Sequence, residues 1–295
     1  MSWYIVADSG CNFRTLDCGR PDISYGLVPM KINVGGREFV DDSYLNIDEL
    51  NDAVAAEQSA TSSACPSAGE WAEQFRKHDN VIAFTISSSL SASYDAAVMA
   101  RDMVITEADR DGINTKNVYV HDTLSAAGKL ELLIVDTVRH LNENPEASFV
   151  DVVNHVRDID SKMQIVFSLS RYDNLIKNGR LPKAAGVIAN KLNIRMMGTA
   201  TDEGTIKVIG STRGEKKSYK KLVEKMSELG YAGGMVYIDH SRNIDGAAAL
   251  AETIKSSWPQ ADVRVMPCDG LCSYYAEETG MIIGFEWFST SREPS

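Results

Sequence analysis

Apolar and polar positions along this chain fall into short blocks of two kinds. Residues 3–7 and 81–86 are unbroken apolar runs of strand length, the pattern of strands covered on both faces. Residues 118–121, 164–169, 194–199, 206–210, 235–239, 263–266 and 281–287 read as further strands. Residues 27–34 and 37–40 flank Gly35-Gly36 and read as a hairpin whose glycines supply positive φ. Between the strands, residues 46–55, 67–75, 94–105, 130–141 and 149–159 carry apolar side chains at helical intervals. Residues 171–176, 184–192, 216–229 and 246–257 do the same in the second half.

Strands alternating with helices predict an α/β fold with a parallel or mostly parallel sheet under helices. The texture changes near residue 160, beyond which strands 194–199 and 206–210 face each other across the Asp-Glu-Gly turn at 202–204. The expected architecture is two α/β domains. Residues 1–160 form a mostly parallel domain, and residues 161–295 form a second one with an antiparallel element. The first strand ends in Asp8-Ser9-Gly10, and ligands of open α/β sheets gather at such carboxyl ends.

Charge narrows the partners. Thirty Lys and Arg against 41 Asp and Glu give a net charge of −11, and no basic run offsets it, so nucleic acid is not an expected partner. No uncharged apolar stretch approaches the roughly 18 residues of a membrane span, so no stable membrane insertion is expected. The start lacks the basic region of a signal peptide, which predicts a cytoplasmic protein. The five cysteines are irregularly spaced. Cys268 and Cys272 lie four apart, but Cys11, Cys18 and Cys65 show no paired ligand spacing. Buried thiols are expected rather than a metal site. A phosphate-cradling Gly-x-x-x-x-Gly-Lys loop and a Gly-x-Gly-x-x-Gly turn are both missing, and no cofactor is expected.

The candidate chemistry sits in two hydroxyl-rich segments, 59–67 and 86–94, each running into a predicted helix. A helix start offers unpaired N–H groups and the positive end of the peptide dipole, which suits a carboxylate or phosphate without a lysine. Ser91 and Ser93 stand where a helix cap is expected. Seven hydroxyl residues between Thr85 and Tyr94 exceed what one cap requires. Ser63 and Ser91 are therefore candidate anion grips, with Ser88 and Ser93 as further candidates. Arg180, after Asn178-Gly179, has the planar fork that closes a carboxylate pocket. Asp239-His240-Ser241 cannot form a triad, because neighbours in a strand point to opposite faces. A phosphate- or ester-handling enzyme built on the same serines remains the alternative to a binding protein.

Taken in order, these segments resemble the DegV family, whose members include the fatty acid-binding subunits of bacterial fatty acid kinase. Ile5-Val-Ala-Asp-Ser-Gly-Cys11 is similar to the family's strand ending in Asp-Ser-Thr-Cys-Asp. Ser63-Ala-Cys-Pro-Ser-Ala-Gly-Glu-Trp71 and Ile86-Ser-Ser-Ser-Leu-Ser-Ala-Ser-Tyr94 resemble its two hydroxyl motifs, and Leu175-Ile-Lys-Asn-Gly-Arg-Leu181 its Gly-Gly-Arg segment. Val28-Pro-Met-Lys31, Leu192-Asn-Ile-Arg195 and Thr212-Arg-Gly214 extend the likeness over nearly the whole chain. The resemblance implies a buried long-chain fatty acid whose carboxylate is held at Ser63 and Ser91, with Arg180 near its head. It also implies a separate fatty acid kinase subunit that forms the acyl phosphate. Cys65 and Ala92 depart from the family's glutamine and glycine, and are expected to alter the lining. Ala276-Glu-Glu-Thr-Gly280 replaces a histidine-containing motif, and Glu277 with Glu278 would make that rim more acidic.

Overall fold

The computed structural model describes residues 2–57, 59, 61–112, 116–182 and 193–287; the helix expected at 184–192 lies outside them. The first half runs β1 (Trp3–Asp8), β2 (Ile23–Val28), β3 (Lys31–Val34), β4 (Arg37–Val40), α1 (Ile47–Ala56), β5 (Ser62–Ala64), α2 (Ala68–Phe75), β6 (Asn80–Thr85), α3 (Ser93–Arg110), β7 (Asn117–Asp122), α4 (Gly128–Glu143) and α5 (Phe149–Asp160). The second half runs β8 (Met163–Leu169), α6 (Asp173–Lys177), β9 (Ile194–Ala200), β10 (Ile206–Arg213), α7 (Glu215–Glu228), β11 (Met235–His240), α8 (Ile244–Ser257), β12 (Asp262–Pro267), α9 (Gly270–Ala276) and β13 (Met281–Glu286).

Strands β2-β1-β6-β7 form a wholly parallel sheet. Every residue of β1 and β6 is buried, which is why their sequences read as apolar runs without alternation. Ile5, Ala7, Ile82 and Phe84 pack against α4 and α5, while Tyr4, Val6, Val81 and Ala83 pack against α2 and α3. Helices α2 and α5 each open with a capping box, Ser67 with Glu70 and Ser148 with Asp151.

The second sheet has the order β10-β9-β8-β13-β11-β12 and is antiparallel except between β11 and β12. One face packs on α7 and α8. The other meets α4, whose start lies so close to β13 that a Cβ built on Gly284 would stand 2.1 Å from the carbonyl carbon of Gly128. Glu131 on this helix accepts two hydrogen bonds from Asn12, at 2.9 and 3.0 Å. Burial pushes the carboxyls of Glu131 and the neighbouring Asp239 on β11 upward, and Glu131 raises Asp239 further while the hydrogen bond from Asp239 holds Glu131 down. Helix α4 therefore ties the end of β1 to the second sheet.

A small sheet, β4-β3-β5, completes the fold. It corrects two sequence expectations. Residues 27–34 are not one hairpin arm: the chain breaks at Pro29-Met30, with β2 joining β1 in parallel and β3 pairing with β4 and β5. Ser62–Ala64 is a strand rather than part of a helix-start loop, because β3 offers it a ladder.

Candidate functional site

A cavity with about 860 Å³ of empty space, partly open to solvent, lies where the two larger sheets and the small one meet. Met30, Ile86 and Ser125 reach it from just beyond the carboxyl ends of β2, β6 and β7, the position expected of a ligand site on a parallel sheet. Ile165, Phe167 and Leu169 of β8 and Ile282 of β13 form an apolar wall from the second sheet. Arg180 is the only charged side chain among the described residues that line it.

Ser63, Ser91 and Arg180 all line this one cavity. Ser63 projects from β5, and its hydroxyl is 2.8 Å from that of Tyr275 on α9. Ser91 lies two residues before α3, where its Oγ accepts the N–H of Ser93 at 3.3 Å. Gly179 at φ 74° ends α6 and turns the chain so that Arg180 Nε donates to Leu90 O at 3.0 Å and Nη1 to Asn178 O at 2.6 Å. The guanidinium lies 5.9 Å from the Tyr275 ring centroid. Two of its five donors are thus committed to carbonyls, which leaves three for a ligand in the cavity.

Ser88 and Ser93 do not line the cavity. Ser88 is exposed, with its N–H donating to Asp122 at 3.1 Å. Ser93 is fully buried and donates to Asp8 Oδ2 at 2.6 Å. Asp8 also accepts from the N–H groups of Gly10 and Ile86; burial outweighs these bonds and pushes its carboxyl up to about 6. The hydroxyl-rich loop is instead largely occupied in holding itself: Ser87 donates to Gly204 O at 2.8 Å and Ser89 to Glu203 O at 2.6 Å. Nor do two helix starts form the anion cradle. The start of α2 already holds the Glu70 carboxylate, bonded to Ser67 and paired with Lys31 at 2.9 Å.

Two lining residues escaped the sequence reading. Tyr275 rides on α9, whose first N–H groups, from Gly270 and Leu271, donate to the buried Asp41 at 2.9 and 2.7 Å. Tyr274 beside it is fixed by Thr61 at 2.7 Å and Asn178 at 2.9 Å. Ser125 has a buried hydroxyl with no hydrogen-bond partner among the described residues, in a turn where Leu124 and Ala127 take φ of 49° and 51°. Strained backbone beside an unpaired polar group is a signature of binding sites. The only sequence signal was the Thr-Leu-Ser run after β7. Cys65 and Ala92 do not line the cavity, so those two departures leave its wall unchanged. Cys268 and Cys272 are free buried thiols, and Cys272 forms part of the wall.

Glu277 does not simply add charge to the rim. It ends α9 at φ 52° and accepts the N–H of Asn174 at 2.9 Å, on the side of α9 away from the cavity. Burial pushes its carboxyl from 4.5 up to about 7. The folded state then holds the proton more tightly than the unfolded chain, so this group lowers stability as pH rises from about 4.5 to about 7. Glu277→Gln should flatten that fall. Urea midpoints measured across this interval check it, and an unchanged slope would place the titration elsewhere.

No helix among the described residues is long and apolar enough to cross a membrane. The model of the DegV family, described as an uncharacterised protein family, matches residues 2–286. A DegV domain-containing protein of Streptococcus pyogenes is 37% identical over 286 residues, covering 97% of this chain and all of that protein. One of Streptococcus pneumoniae is 37% identical over 288 residues, covering 97% and 99%. Among solved structures, the Streptococcus pneumoniae fatty acid kinase (Fak) B3 protein loaded with linoleic acid superposes with a TM-score of 0.92 at 36% identity, over 98% of this chain and 100% of that one. A DegV family protein from Eubacterium eligens loaded with heptadecanoic acid gives 0.91 at 30% identity, over 97% and 100%. With the family match spanning both larger sheets, the small sheet and the cavity between them, this chain belongs to the DegV family.

Proposed function

We propose that this protein binds a long-chain fatty acid and presents its carboxylate to a separate fatty acid kinase subunit in the cytoplasm. The observation that carries the reading is that Ser63, Ser91 and Arg180 line one mostly apolar cavity, with Arg180 reaching Tyr275, the partner of Ser63, and Leu90, the neighbour of Ser91. The Ser63, Tyr275 and Ser91 hydroxyls supply donors for the carboxylate, Arg180 supplies the positive charge, and the aliphatic and aromatic wall takes the tail. The lobes 1–160 and 161–295 each contribute one side. Tail burial is worth about 0.8 kcal/mol per methylene, before the cost of ordering the chain. The fatty acid-loaded relatives support the choice of ligand.

Among the described residues a hydrolytic reading lacks a base. Ser63 is bonded to a tyrosine and Ser91 to a backbone N–H, whereas an activated serine needs an imidazole or comparable group within hydrogen-bond reach. Native mass spectrometry of the purified chain, with the extracted lipid identified, tests the proposal. One carboxylic lipid per chain is expected, and turnover of acyl or phosphate esters by the chain alone would overturn it.

The kinase part is tested through Arg180. Arg180→Ala should lower acyl phosphate formation, with the kinase subunit added, by about tenfold or more, while lipid retention falls less. Equal losses in both assays would make Arg180 a pocket residue alone.

A further inference from the structure

One wall of the cavity depends on a residue that has no side chain. On the cavity face of the second sheet, Phe167 of β8 stands opposite Gly198 of β9 in the antiparallel register, with Ile282 of β13 on its other side. The Phe167 ring lies over Gly198: a Cβ built there would be 2.0 Å from its Cζ and 2.5 Å from Cε2. Gly198 itself is buried and has no positive φ, so its backbone imposes no need for glycine. What requires glycine is the ring. Met196, buried on the same face of β9, blocks the ring on one side, and Ala200 on the other side lines the cavity, so a displaced ring moves into cavity space. Carbon atoms in contact sit about 3.5–4.0 Å apart, so a methyl at position 198 lifts the ring edge by roughly 1.5 Å into the cavity.

We infer that Gly198 is a specificity-determining position: by letting Phe167 lie flat across β9, it sets the length of acyl tail the cavity accepts. The inference rests on the fatty acid-binding reading above. Gly198 acts through Phe167 and is a positioning residue. Phe167, Ile165 and Ile282 belong to the apolar wall supplied by the second sheet, whereas Ser63 and Ser91 come from β5 and the loop before α3, so a raised ring takes its space from the tail.

The experiment compares stearic with myristic acid binding to lipid-stripped wild type, Gly198→Ala and Gly198→Ala/Phe167→Leu. Acyl length in the protein as purified is read in parallel by mass spectrometry. In Gly198→Ala, stearic acid should lose about fourfold in affinity relative to myristic acid for each methylene that no longer fits. The double variant should recover the wild-type ratio, which a general loss of packing would not do. An unchanged ratio in Gly198→Ala, or no recovery in the double variant, overturns the assignment. If Gly198→Ala does not fold, Phe167→Leu alone decides: a shift toward longer tails is expected, and an unchanged acyl profile refutes the role. Wild type that binds neither acid overturns the fatty acid reading instead, which separates the two failures.

Discussion

Ser63→Ala combined with Ser91→Ala should strip the protein of its lipid while leaving it folded. A hydrogen bond to a charged acceptor is worth about 1.5–3 kcal/mol, so losing both costs roughly 3–6 kcal/mol, or about two to four orders of magnitude in affinity. The structural cost is small. Ser63 gives up one bond to Tyr275 and Ser91 one to the Ser93 N–H, each worth about 1 kcal/mol. Native mass spectrometry should find the double variant largely empty, with a thermal transition a few degrees below that of stripped wild type. Ser63→Thr, which keeps the hydroxyl, should remain loaded. A double variant carrying the wild-type amount of fatty acid would move the head group to another part of the cavity, with the unpaired Ser125 hydroxyl the first alternative.

The second large effect is on stability. Gly284→Ala places a methyl 2.1 Å from the Gly128 carbonyl carbon and 2.3 Å from the Lys129 nitrogen. Those are backbone atoms, so no rotamer change relieves the clash, and α4 must move off β13. Overpacking of a well-filled interior costs about 1–3 kcal/mol even where side chains can adjust. We expect about 3 kcal/mol or more here, a fall in Tm of roughly 6 °C or more. Thermal denaturation of the stripped protein gives the answer. A Tm within a degree of wild type would mean that α4 does not approach the second sheet this closely.

What could be read in advance follows from where the determining interactions lie along the chain. Strands β1 and β6 were legible because burial on both faces leaves an unbroken apolar run. Helices α2 and α5 announce themselves through caps three residues apart, Ser67 with Glu70 and Ser148 with Asp151. Strand β5 was not legible: Ser62-Ser63-Ala64 has no strand pattern of its own and is made by pairing with β3. Helix α9 was hidden for a similar reason, since the groups that cap it come from Asp41, 229 positions away for Gly270. Tyr275, carried by that helix, was hidden with it. The serine-rich loop was overread. Local hydroxyl density marked a segment that reaches the cavity, but Ser87, Ser89 and Ser93 serve contacts with distant carbonyls and Asp8, and Ser91 alone among its serines lines the cavity.

The close seating of α4 on β13 also bears on how cargo gets in and out. A two-lobed binder commonly opens like a jaw about a slim connection. Here one helix is cemented between both sheets, through Ile5, Ile82 and Phe84 on one side and through the Gly128–Gly284 backbone contact and Tyr237 on the other. Parting the lobes would tear that helix from one of its two beds, uncovering Leu130, Leu133 and Ile134, all buried in the present packing. Under the proposed function, loading and unloading are therefore left to small adjustments at the rim, and exchange of an acyl chain becomes a matter of threading rather than of hinging.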